Sequence, residues 1–195
     1  MSSATKIDRA AAVRRALVEL VAENGFRGTS MSAVAKRAGV AAGTAYVHYV
    51  SKDELIVAAY VEVKRAMDIV AVAAVDPSRP AKERFLTLWR AILDHLIADP
   101  VRARFILQVN ASPYRRAAQA AVLENADDPI FEFAETEDFA SRLVDLPATV
   151  LYDLGVRPAI SVAAGEQSVS DQQLTTLALA CWRAVTRHDV SDDIE

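Results

Sequence analysis

Apolar residues recur along this chain at helical spacing almost from its start. Val13, Leu17, Leu20 and Val21 fall at i, i+4, i+7 and i+8, one stripe on a first helix. Thr5, with Asp8 three residues on, predicts its N-terminal cap. Asn24-Gly25 predicts its end, because glycine accepts the left-handed conformation at a helix C-terminus. Met31, Val34, Ala35 and Ala38 make a short second apolar face, opened by the hydroxyls of Thr29 and Ser30 and stopped by Gly39. Gly43-Thr44 opens a third, short helix through about Tyr49. Ser51-Lys52-Asp53-Glu54 reads as a capping box, with acids where the helix dipole favours them. From it runs a long fourth helix, with Leu55, Ile56, Ala59, Tyr60, Val63, Met67 and Val70 on one stripe, to near Asp76-Pro77.

Beyond it, Arg79-Pro80 starts a helix with Phe85, Leu86, Trp89, Leu93, Leu96 and Ile97 inside. Asp99-Pro100, Ser112-Pro113 and Asp128-Pro129 each place a polar cap before a proline at the first helical position. The last helix begins at Ser170, with Gln173 as its capping partner, and turns Leu174, Leu177, Ala178, Cys181, Trp182 and Val185 inward. Residues 136–169 are less regular: 146–154 predicts a helix, and Gly155, Pro158 and Gly165 interrupt the stretch after it. The pattern predicts an all-α chain of two domains. Residues 8–55 would hold a helix-turn-helix at about 30–49, and the long helix would lead without a linker into residues 56–195.

Composition agrees: 52% of residues are apolar, and only six glycines and seven prolines are present to punctuate strands. The single cysteine, Cys181, excludes an internal disulfide or a thiolate metal cluster and suits a reducing cytoplasm. There is no basic-then-apolar leader pattern, and the longest apolar run, residues 69–75, is far shorter than the roughly 18 residues a membrane span needs. A soluble cytoplasmic protein is the expectation. The net charge of −4 hides an asymmetry. Eight bases and five acids lie up to Leu55, leaving fourteen bases and twenty-one acids beyond it. A basic head on an acidic body suits a protein whose N-terminal part touches nucleic acid.

The chemistry of residues 39–55 points the same way. Gly43 lets backbone approach a duplex without a Cβ in between. Thr44, Tyr46 and His48 offer side-chain donors for phosphate oxygens, and Lys52 a charge at the flank. Arg9, Arg14 and Arg15, off the apolar stripe of the first helix, would reach the adjoining backbone. Tyr46 and Tyr49 are also spaced as core residues are, and Tyr49 is the one expected inside. An enzyme finds little support. His95–Asp99 and His188–Asp192 are single i,i+4 pairs, too few ligands for a metal, and Cys181 has no evident base. No catalytic, metal or cofactor site is expected. A plain helical scaffold would explain the helices but not the surface from Gly43 to Lys52.

Thr29 to Val40, then Gly43-Thr44-Ala45-Tyr46-Val47-His48-Tyr49, then Ser51 to Leu55, resemble the DNA-binding domain of the tetracycline-repressor (TetR) family; the likeness covers about residues 8–60. The resemblance implies that Thr29 or Ser30 contacts phosphate and that Gly43, Thr44 and Val47 face the major groove, Val47 toward a thymine methyl. It implies that Tyr46, His48 and Lys52 bind the DNA backbone, while Tyr49 stands where the family usually has a buried phenylalanine. Three positions depart from the pattern. Ala41 replaces the usual serine cap, Ala42 a larger residue, and Ala45 a bulkier apolar one. The resemblance further implies a homodimeric repressor on operator DNA, paired through its last helices and released by a small effector. Met67, Phe85, Trp89, His95, Phe105, Tyr114, Phe131, Phe133 and Trp182 are the candidates to line an effector pocket, and each fits a plain core as well. Such a lining would suit an apolar or amphipathic molecule.

Overall fold

A computed structural model describes residues 2–125, 127–165 and 168–187, with side chains from Arg9 onward. The described residues form helices and no strand, and they divide into two compact units.

The first unit comprises Met1–Lys64 and Val101–Asn125. It holds α1 (Ser2–Asn24), α2 (Met31–Arg37), α3 (Ala42–His48), the start of α4 (Lys52–Ala73), α6 from Val101 (Pro100–Asn110) and α7 (Arg115–Leu123). Val13, Leu17 and Val21 of α1 are fully buried, as their spacing predicts, and Gly25 ends that helix with a φ of 68°. The helix starts at Ser2, ahead of the cap predicted at Thr5; the Thr5 and Asp8 side chains lie outside the described residues. α2, α1 and α3 pack together, and Leu55, Ile56, Ala59 and Tyr60 of α4 are buried as their stripe requires. The Tyr60 hydroxyl donates to Asn110 Oδ1 at 3.0 Å in the interior, which satisfies the phenol without water.

The second unit comprises Arg65–Pro100 and Ala126–Glu195. It holds the rest of α4, α5 (Ala81–Ala98), α8 (Pro129–Glu135), α9 (Glu137–Ala140), α10 (Ala148–Gly155), α11 (Arg157–Ala163) and α12 (Asp171–Val185). α5 packs on α11 and α12, and α10 packs on both of those. Where α10 ends at Gly155, a Cβ would come within 3.2 Å of Val185 Cγ1, so the position favours a residue without one. Ser170 and Gln173 cap α12 reciprocally, as predicted. A bridge between Leu143 and Thr186 ties the preceding loop to the end of α12, with Val144 N donating to Val185 O and Arg187 N to Arg142 O.

Some elements differ from their expected form, and the contacts change unit within α4, between Lys64 and Arg65. Its first turns are bonded to α1 through Arg14–Glu62 and to α6 through Tyr60–Asn110, and residues 101–125 join the same unit. Val70 and Ile97 are exposed and Leu86 only half-buried; Ala71, Leu88 and Ile92 are the buried residues. After Ser112-Pro113 the helix begins only at Arg115, because Ser112 Oγ closes a turn by accepting from Tyr114 N. Residues 136–169 contain α10 and α11, the second formed despite Pro158, which sits in its first turn where a missing N–H costs nothing. His188 and Asp192 lie outside the described residues.

Candidate nucleic-acid interface

Ser30 is the N-cap of α2, its hydroxyl accepting from Ala33 N at 3.2 Å. Met31, Val34 and Ala35 anchor the helix. It ends in a Schellman turn, with Gly39 at a φ of 69°, Gly39 N donating to Lys36 O and Val40 N to Ala35 O. A residue with a Cβ would be strained there. α3 then begins from Ala41, whose backbone is extended as a cap requires but whose side chain makes no capping bond.

The residues of α3 and of the turn that follows it sort by face. Ala45 is fully buried, and Tyr49, at the C-cap, is 6% exposed. Gly43, Tyr46, Val47 and Val50 point outward, with Tyr46 54%, Val47 73% and Val50 83% exposed. Thr44 and His48 are half-buried at the sides. No atom lies within 4 Å of where a Gly43 Cβ would stand, so nothing in the protein demands a glycine at that position. Tyr46 and Val47 on the helix and Val50 two residues past its end together expose more large apolar side chain than is usual for a surface that faces only water.

The neighbouring polar groups divide into those that face outward and those committed within the protein. Thr29 is 3% exposed, and its hydroxyl donates to Gly25 O at 2.9 Å, so Ser30 is the exposed hydroxyl of the two. Lys52 Nζ donates to Phe26 O at 2.9 Å and to Thr29 O at 3.1 Å. Arg14 donates to the Glu62 carboxylate and to the Tyr49 hydroxyl, which leaves Arg9 and Arg15 as the exposed arginines of α1. Burial opposes the charge on Arg14, but Tyr49 and Glu62 outweigh it and raise its pKa above the ordinary value. Arg37 forks onto Glu19 and Glu23, and its bond to Glu23 holds that carboxyl below the ordinary range. Glu54 N bonds Ser51 Oγ, while the Glu54 carboxylate accepts from Val50 N rather than from the cap's own amide. Sequence reasoning missed Val50; the only signal was its place directly after the recognition helix.

The candidate pocket residues are divided between the two units. Phe105 and Tyr114 belong to the first unit; Met67, Phe85, Trp89, His95, Phe131, Phe133 and Trp182 belong to the second. Phe85 and Trp182 pack on each other with ring centroids 5.4 Å apart, alongside Phe139 and Phe133. These aromatics fill the core of that unit. Tyr114 lines a cleft of about 820 Å³ in the first unit, with Asp53, Glu54, Val57, Ala58 and Val61 of α4 and Ala117 and Ala121 of α7. Burial pushes the Tyr114 phenol up, and its bond to Asp53 pushes it further. Among the described residues no cluster of histidine, cysteine, aspartate and glutamate could hold a metal, and no helix is long and apolar enough to cross a membrane.

A small basic-flanked helix, presented outward on a glycine turn from a packed partner helix, defines the helix-turn-helix class of DNA-binding regulators. The chain belongs to the TetR family: residues 13–59 match the family model for bacterial regulatory proteins of the tetR family, and residues 80–186 match the tetracyclin repressor-like C-terminal domain. It is 25% identical over 187 residues, 93% of this chain and 98% of the other, to a Haemophilus influenzae protein described as an uncharacterized HTH-type transcriptional regulator. A crystal structure of a TetR-family transcriptional regulator from that organism matches with a TM-score of 0.74 at 25% identity, covering 94% of this chain and 99% of that one. A TetR family transcription regulator of Marinobacter aquaeolei shares the fold, with a TM-score of 0.69 at 18% identity over 93% and 97% of the two chains. The protein is a DNA-binding transcriptional regulator, and its family's members are regulators rather than enzymes.

Proposed function

We propose that the chain is a cytoplasmic homodimeric repressor that reads operator DNA with α3 and releases it when a small molecule binds. The outward face of α3 carries the reading: Gly43, Tyr46, Val47 and Val50 are exposed together on one side of the recognition helix and its end. Gly43 and Thr44 would come closest to the major groove, with Val47 and Val50 against thymine methyls. Ser30, Tyr46 and His48 would donate to phosphates, while Lys52 is committed to the Phe26 and Thr29 carbonyls. Thr29 would shape the turn rather than touch DNA.

Dimerisation is supported by a second surface. Val150 and Leu154 stand at i and i+4 along α10, with Leu146 just before the helix start, and the three are each about two-fifths exposed, an apolar stripe that a second copy could cover. Two reading helices related by a two-fold axis would meet half-sites about 34–36 Å apart. Release by an effector is supported by the cleft at Tyr114, whose walls of valine and alanine suit an apolar or amphipathic molecule and whose one side is α4 itself. A ligand that favours one position of α4 shifts operator affinity by its differential affinity for that position.

A mobility-shift assay with the DNA upstream of the chain's own gene tests the reading. Wild type should prefer that fragment to an unrelated duplex, and Tyr46→Ala should abolish the preference while the dimer stays intact. Binding that is blind to sequence would sink the reading. A reporter whose expression falls, rather than rises, on deletion of the gene would make the protein an activator.

A further inference from the structure

We propose that Arg14 is a positioning residue for DNA reading, fixing the end of the recognition helix to α4 through the Tyr49 hydroxyl and the Glu62 carboxylate. The inference rests on α3 being the DNA-reading helix. A helix as short as α3 has no stability of its own, so tertiary bonds must set its direction. At its start Ala41 supplies no side-chain bond, and within it only Ala45, a small residue, is buried. Orientation therefore falls to the C-terminal end, where Tyr49 is buried and its hydroxyl accepts from Arg14 Nη1. The same guanidinium donates from Nε to Glu62 on α4. A guanidinium is planar and its donors are fixed relative to one another, so these two bonds lock three helices at defined angles.

Glu62 is nearly half exposed, where an ion pair adds little stability, so its effect on Arg14 is directional. Glu62 also lies just before the point at which α4 passes into the second unit. A shift of this part of α4 would pull the guanidinium and tilt the face that carries Tyr46 and Val47. Tyr49 is needed as tyrosine, because a phenylalanine would fill the same space without the bond.

Full-length Tyr49→Phe, Arg14→Met, their combination and Glu62→Gln test this by anisotropy titration against the upstream fragment and an unrelated duplex over a series of salt concentrations. The preference for the upstream fragment should fall about tenfold in Tyr49→Phe, the loss of one directional bond. The double variant should fall no further than Arg14→Met, and Glu62→Gln should lower the preference in part. The salt dependence on unrelated duplex should not change. If Arg14→Met instead lowers that slope by about one, Arg14 touches phosphate and the positioning role is overturned. An unchanged preference in Tyr49→Phe overturns it also, and does so even if Arg14→Met fails to fold. No preference in wild type overturns this inference together with the regulator reading, whereas wild-type preference kept by Tyr49→Phe overturns this inference alone.

Discussion

The ammonium of Lys52 and the backbone carbonyl of Thr29 are bonded to each other at 3.1 Å. Both residues match positions that the family resemblance assigns to phosphate. Together with the bond from Lys52 to Phe26 O, the contact fastens the connection between α1 and α2 to the first turn of α4. The lysine thereby closes the base of the reading head from behind. Its ammonium has three protons, and these two bonds use two of them.

Replacing this lysine separates a structural role from an electrostatic one. Lys52→Met keeps the stem but removes a donor from two carbonyls, of which Phe26 O keeps its bond from Thr29 N, and should lower unfolding stability by about 1–2 kcal/mol in a urea titration. The salt slope of DNA binding should stay as in wild type. A slope lower by about one with unchanged stability would place the ammonium on phosphate instead.

Gly43 offers a sharper test, because the protein leaves room for a side chain there. Gly43→Ala should raise stability by about 0.5–1 kcal/mol, since alanine favours the helix and restricts the unfolded chain. The same methyl should weaken operator binding at least tenfold if backbone meets the groove at this point. A variant that gains stability and keeps its affinity would move the contact elsewhere on α3.

The stripe on α10 predicts the oligomeric state. Val150→Glu puts a charge in the middle of Leu146 and Leu154 and should convert a dimer to monomer in sedimentation equilibrium, with the helical signal retained. Operator affinity should fall with it, because two linked heads bind far more tightly than one. A charged variant that sediments as wild type would assign the stripe to solvent.

Burial pushes the Cys181 thiol up, only partly offset by the Trp89 indole beside it. Ellman's reagent should therefore react slowly at pH 8 in native protein and rapidly once urea unfolds it. The linkage has a sign. A thiol raised in the folded state contributes its stability below the unfolded value of about 8.5, and that stability is lost as pH rises through the folded value. Tyr152, raised by burial and by Asp68 and Asp153, adds the same trend only above its unfolded value of about 10. Unfolding midpoints should fall between pH 8 and 10, less steeply in Cys181→Ala.

Periodicity made most of this fold legible. The stripes of α1 and α12 and the buried Tyr49 follow from spacing alone, because burying one helix face fixes which residues turn inward. What spacing could not carry was the division of residues between units, since α6 and α7 read as helices of the second domain until their partners are seen. Arg84 was invisible too. It is buried in α5 against Asp138 and the Phe133 ring, and no periodicity marks an arginine as interior. In the reading head, residue types identified α3 correctly, but whether Thr29, Arg14 and Lys52 face outward or inward depends on carbonyls and hydroxyls contributed by distant turns.

The unbonded cap at Ala41 has a consequence for anyone who would re-engineer specificity. A segment cut from residues 30–49 would hold no shape as a peptide, because its seven-residue helix takes its direction from Tyr49, Arg14 and the floor under Ala45. Transplanting the outward residues onto a relative would move the letters without the hand that holds them. A successful graft has to carry Arg14, Tyr49 and Glu62 with the recognition helix, and its readout is whether operator preference travels with that set.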